Sequence, residues 1–131
     1  MTKPHYTRKH RQSVTQRQIR GDSEEQRACE YLQSQGLELI AQNFSCRMGE
    51  IDLIMHDPEK NNLVFVEVRY RVNSTFGGAA ASITRSKQRR IIRTALHYQQ
   101  KYAPKSYMRF DVVAIEGDNQ LQWFPAAFYG F

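Results

Sequence analysis

The chain has 131 residues, enough for one domain with its own core and no covalent staples. No apolar run reaches the length of a membrane span, the first twenty residues hold no apolar signal core, and Cys29 and Cys46 match neither a C-x-x-C pair nor a zinc spacing. The formal charge of +6 argues for a polyanionic partner only if the bases are clustered, and they are.

Residues 1–20 carry six bases (Lys3, Arg8, Lys9, Arg11, Arg17, Arg20) and no acid, which leaves 13 bases against 13 acids in the rest. Between Glu67 and Asp111 stand ten Lys or Arg and not one Asp or Glu. A cationic arm and a cationic half-domain suit nucleic acid, since each neutralised phosphate releases counterions. The plainer alternative is a solvated tail and a soluble helix face. With no membrane span expected, the location is read as cytoplasmic. Cys29 and Cys46 are then reduced thiols packed as small hydrophobes, with a disulfide as the alternative.

In chain order, residues 1–20 are polar and aperiodic and are expected as a flexible basic arm, with a single domain over 21–131. Asp22 or Ser23 can cap a first helix, Ala28, Tyr31 and Leu32 give it an apolar stripe, and Gly36 ends it. Glu25 shares that stripe at i, i+3, i+7 spacing, so it faces inward. A strand follows over 37–44, then a turn near Arg47–Gly49. Two strands, 50–56 and 63–71, make a hairpin joined by 57–62. Residues 73–82 are a loop of small side chains. A second helix runs from about Thr84 to Tyr102, with Ile91, Ile92, Ala95, Leu96, Tyr98 and Tyr102 as its core stripe, and Pro104 stops it. Strands at 107–115 and 121–124 close the chain around a turn at 117–119. The order α-β-β-β-α-β-β predicts an α/β (mixed α+β) fold, about five strands in a mixed sheet with helices packed on it.

The hairpin poses the functional question. If its six-residue turn is taken at face value, opposed positions sum to 119, and Asp52 faces Glu67 on one side of the sheet. The other side carries Ile51–Val68, Leu53–Val66 and Met55–Val64, wholly apolar. Two carboxylates about 4 Å apart repel by roughly 4 kcal/mol at an effective dielectric near 20. Something positive must lie between them. A divalent cation would serve, because Mg²⁺ takes one or two carboxylates and keeps waters for its other positions. Arg69 and Arg71 offer the alternative, a strand-to-strand ion network with no metal.

"GEIDLI" followed by "VFVEVRYR" resembles the YraN-like family of predicted endonucleases, which belongs to the PD-(D/E)xK nuclease superfamily and is distantly similar to archaeal Holliday-junction resolvases. "GDSEEQRA", "FGGAAASITRSK" and "RFDVV" extend the likeness over nearly the whole chain from Gly21. The resemblance implies a restriction-endonuclease-like core and a Mg²⁺- or Mn²⁺-dependent cut in DNA, with branched DNA as the substrate class. It also implies roles for single residues. Asp52 and Glu67 would be the metal ligands and Glu25 the supporting acid of the first helix. Arg69 stands where the superfamily carries Lys. Lysine can give up its proton and help activate water, whereas Arg in practice cannot. Either the ion alone activates water, or Lys87, near the start of the second helix, takes the part.

Gly77 and Gly78 would let a phosphate approach main-chain N–H groups before that helix, or simply make a tight connection. Arg71, Arg85, Lys87, Arg89, Arg90 and Arg93 are the candidate phosphate contacts. Asp111 is expected to pair with Arg109 or a neighbouring Arg and to take no part in chemistry. Trp123, Phe124, Phe128 and Phe131 belong to a core or dimer surface, and a two-fold homodimer would suit a four-armed substrate. Against the enzyme stands a different class of function: a non-catalytic nucleic-acid-binding module on a nuclease scaffold, with Arg69 as the mark of lost chemistry. A weaker third reading has the basic arm bind an acidic protein.

Overall fold

The hairpin forms the middle of the molecule, and its turn sets its register. In the computed structural model, which describes residues 16–71, 83–116 and 120–130, strands β2 (Gly49–Asp57) and β3 (Asn62–Arg71) pair antiparallel as Leu53–Val66, Ile54–Phe65, Met55–Val64, His56–Leu63 and Asp57–Asn62. Each pair sums to 119, as the loop length requires. Asn61, with φ of 55°, takes the left-handed residue of the turn, a conformation Asn tolerates.

Strand β1 (Glu38–Cys46) extends the sheet beyond β2, and β4 (Tyr107–Glu116) and β5 (Gln120–Phe128) extend it beyond β3. Neighbours run antiparallel except β3 and β4, which are parallel. Parallel neighbours need a crossover, and helix α2 (Arg85–Tyr102) lies in it. Helix α1 (Gln16–Ser34) precedes β1, so the element order is the expected α-β-β-β-α-β-β around a five-stranded mixed sheet.

Period-two alternation along the central strands gives each face its own core. Leu53, Met55, Val64, Val66, Val113 and Ile115 meet Ala28, Cys29 and Leu32 of α1. Ile54, Leu63, Phe65, Phe110, Val112 and Ala114 meet Ile91, Ala95 and Tyr98 of α2. The result is three layers, helix on sheet on helix. Cys29 is buried in the α1-side core and both cysteines are free thiols, so the disulfide alternative does not hold. Among the described residues no helix is long and apolar enough to cross a membrane.

Three details differ from expectation. Helix α1 begins at Gln16, within the stretch expected as arm, so Asp22 and Ser23 lie inside the helix rather than at its cap. Gln and Arg are good helix formers, and a cap signal does not stop them from extending the helix. Residues 1–15 of that arm lie outside the described residues. Ile51 packs into the α2-side core beside Ile54 rather than with Leu53 and Met55, because β2 leaves the regular ladder at Asp52. Strand β5 continues past Phe124 through Pro125 to Phe128. It is an edge strand, where a missing N–H can be tolerated, and a register shift between Phe110 and Val112 accompanies it.

Candidate functional site

The ladder between β2 and β3 stops at Leu53–Val66, one step before the two acids would pair. Beyond it the Asp52 Oδ2 accepts the Val68 N–H at 2.8 Å, the place a carbonyl of a continuing strand would take. The strands part there, and α2 covers the opening with its N-terminal half. Thr84 caps that helix, its Oγ1 accepting the Lys87 N–H at 3.1 Å, and this sets Lys87 in the first turn.

A cleft of about 260 Å³ results, lined by Asp52 and Glu67 from the hairpin, Gly49 and Glu50 from the start of β2, and Lys87 and Arg90 from α2. Gly49 is a condition for it. A Cβ at that position would stand 2.9 Å from Thr94 Oγ1, and φ there is 154°. Thr94 cannot readily yield, since its hydroxyl donates to the Arg90 carbonyl at 2.8 Å. The bare backbone of Gly49 therefore lets β2 pass under α2.

The electrostatics are those of crowded acids. Burial, then the Glu67 charge, then the Glu25 charge push the Asp52 carboxyl well above the usual carboxylate range, against the opposing Val68 amide. Glu67 is 6% exposed and its Oε2 lies 2.8 Å from the Lys87 Nζ. Three carboxyls thus share one region, and the partly exposed ammonium of Lys87 answers Glu67. Glu25 reaches them from α1, where it is half-buried on the same side as Ala28 and Leu32. Among the described residues no set of three or more His, Cys, Asp or Glu side chains is arranged to hold a metal ion. An ion here would rest on Asp52 and Glu67 with other oxygens completing its shell. That donor set suits Mg²⁺, which favours few carboxylates and several waters.

The structure thus gathers Asp52, Glu67, Lys87 and Arg90 around one cleft, with the charge of Glu25 felt there. Arg69, half-buried, follows Glu67 by two positions on β3 and so falls on the same face of the sheet. Arg85, Arg89 and Arg93 do not join them; they line a separate cleft on the other flank of α2. Gly77 and Gly78 lie outside the described residues, as does the side chain of Arg71. Glu50, in the cleft wall, was not singled out from the sequence, although its place beside Gly49 in "GEIDLI" marked it. The expected pairing of Asp111 with Arg109 is present: Arg109 Nε and Nη2 donate to it at 2.9 and 3.0 Å.

Sequence relatives share most of this frame. The model of the family described as "Uncharacterised protein family UPF0102" matches residues 24–115, a span from Glu24 to Ile115 of β4. A UPF0102 protein of Psychromonas ingrahamii is 53% identical over 105 residues, 79% of this chain and 84% of the relative. One from Cupriavidus taiwanensis is 52% identical over 112 residues, 86% of this chain and 84% of its own. One from Coxiella burnetii is 51% identical over 109 residues, covering 82% and 89%. Glu25, Asp52, Glu67 and Lys87 all fall inside the matched span, and the chain belongs to the UPF0102 family.

Proposed function

We propose that the protein is a Mg²⁺- or Mn²⁺-dependent endonuclease of the PD-(D/E)xK type that hydrolyses phosphodiester bonds in DNA, acting in the cytoplasm. The observation that carries this reading is the convergence of Asp52 and Glu67 where β2 and β3 part, under the basic N-terminal half of α2. Branched DNA is the substrate class that the family resemblance suggests.

A bound divalent ion would supply Lewis acidity at the phosphate and a water of lowered pKa. Asp52 and Glu67 would hold it, and the ionised form of Asp52, disfavoured by burial and by the acids beside it, would become the stable one. Glu25 adds negative charge that strengthens the hold. Lys87 neutralises Glu67 when no cation is there. With Glu67 otherwise engaged, its ammonium is free to donate to a non-bridging phosphate oxygen. Arg90, on the cleft wall, can contact the same phosphate group, and Arg69 can stabilise charge without acting as a base.

The test mixes purified protein and Mg²⁺ or Mn²⁺ with labelled junction, flap and duplex DNA. Metal-dependent cleavage that falls at least about a thousandfold in Glu67→Ala is expected, the scale of a few kcal/mol of lost transition-state stabilisation. Failure of the wild type to cut any of the three substrates sinks the reading.

One observation favours a second reading. The Lys87–Glu67 pair at 2.8 Å already balances one acid without a cation, as it would in a nucleic-acid-binding module that has lost its chemistry. That module would bind DNA with the same affinity with and without Mg²⁺ and give no heat on Mg²⁺ titration. The endonuclease would show a calorimetric Mg²⁺ site that Asp52→Asn removes.

A further inference from the structure

The flank of α2 turned away from the carboxylates carries a second cleft, of about 340 Å³, between the helix and the C-terminal segment. Arg85, Arg89 and Arg93 line it, all exposed and, among the described residues, in no ion pair. Each is four positions from the next, so they stand in a row along one side of the helix, about 6 Å apart along its axis. That step is comparable with the separation of successive phosphates on an extended strand. No acid occurs anywhere in α2 to compete for them.

Across the cleft stands Tyr129, 67% exposed. The next residue, Gly130, lies against the ring of Phe110 and the side chain of Ile92, which fixes this end of the chain beside the helix. A large, exposed aromatic side chain facing three guanidiniums is the pairing used to hold unpaired bases: cations on the backbone, a ring for a base to stack on. A duplex would leave such a ring idle, because its base faces are already stacked on one another. Arg90, one turn from Arg93, lines the carboxylate cleft, so the row of guanidiniums crosses the helix from one cleft to the other.

We propose that this groove binds a single-stranded segment of nucleic acid, with Arg85, Arg89 and Arg93 on successive phosphates and Tyr129 stacked on a base. The strand would then run over α2 toward Asp52 and Glu67. That last step, which makes the substrate a nucleic acid with an unpaired stretch beside the bond cut, rests on the endonuclease reading; the binding itself does not.

The test is fluorescence anisotropy in EDTA, where nothing is cut, with oligothymidylate and a duplex of equal length. Replacing the three arginines by alanine is expected to reduce the salt slope of single-strand binding by about 2, from roughly 0.7 per phosphate contact. Tyr129→Ala is expected to weaken oligothymidylate about tenfold while duplex affinity holds, and Tyr129→Phe to bind as the wild type does. All four positions are exposed, and unchanged circular-dichroism melting would verify the fold of each variant. The groove is overturned if the triple variant binds oligothymidylate with the wild-type salt slope. It is equally overturned if Tyr129→Ala weakens both probes alike or neither. Loss of the endonuclease reading looks different: no cutting with metal, yet single-strand binding that still depends on these four residues.

Discussion

Two sets of acids, each with one buried carboxylate, sit in one sheet and are treated in opposite ways. Asp111 of β4 has no exposed surface, and every oxygen is used: Arg109 takes both through Nε and Nη2, Trp123 Nε1 donates at 3.0 Å, and the Ala126 N–H donates at 2.9 Å. Arg109 also reaches Asp57 Oδ2 at 2.8 Å. Burial alone would lift the Asp57 carboxyl, yet Arg109 and the Lys60 and Glu59 amides bring it below its ordinary range. This network ties β5 and the hairpin turn to β4. At Asp52 and Glu67 the nearest charges on Asp52 are acids, Glu67 and Glu25, opposed by the Val68 amide, while Lys87 pairs with Glu67. An acid kept for structure is surrounded by donors. In the pair under α2 an acid has acids for neighbours and its carboxyl is pushed up, and this difference separates a candidate site from a clamp.

The largest way to test the contrast is to remove the clamp. Asp111→Ala leaves the Arg109 guanidinium with Asp57 alone and the Trp123 and Ala126 donors unanswered, so it is expected to cost about 3–5 kcal/mol of stability in chemical denaturation. Asp52→Asn is expected to do the reverse. Asn can still accept the Val68 N–H and can donate to Glu67, so relief of the repulsion should raise the melting temperature while metal-dependent cleavage is lost. If both substitutions destabilise alike, the two acid sets are of one kind and the contrast fails.

Gly49→Ala comes next and sharpens the geometry of the cleft. Overpacking against Thr94 Oγ1 is expected to cost about 1–3 kcal/mol. The companion change Thr94→Ala removes the atom that is struck, and in a double-mutant cycle it should recover part of that cost. Additive costs would mean that β2 does not depend on the close approach.

Much of this was legible in the chain because it rests on short-range rules. The six-residue turn fixed which residues face each other from Leu53–Val66 to Asp57–Asn62, and alternation then put Glu67 on the α2 side. Thr84 and Pro104 bracketed α2. The departure of β2 at Asp52 was not legible, since it arises from a side chain replacing a backbone acceptor, and so Ile51 was assigned to the wrong face. Nor was the start of α1, where propensity over Gln16–Arg20 outweighs a cap signal at Asp22 and Ser23. The separation of Arg85, Arg89 and Arg93 from Lys87 and Arg90 follows from helical spacing alone. Their opposition to Tyr129 does not, because it depends on where β5 ends beside α2.

The smallest expected effect is the most specific to the acid pair, and its sign is fixed by the direction of one shift. The Asp52 carboxyl in the fold titrates well above its ordinary value, chiefly through burial and then through Glu67 and Glu25. Over the window between the unfolded and folded values, the folded chain keeps a proton that the unfolded chain has released. Without metal, stability should therefore fall as pH rises through that window and level off above the folded value. A divalent ion binds the ionised pair and competes with that proton, so its stabilising effect should grow with pH. Melting curves with and without Mg²⁺ at about pH 5 and about pH 8 measure both slopes, and a larger Mg²⁺ increment is expected at the higher pH. In Asp52→Asn the metal-free fall and the Mg²⁺ increment should disappear together, because one carboxylate is the origin of both. An increment that survives this substitution would place the ion somewhere other than between β2 and β3.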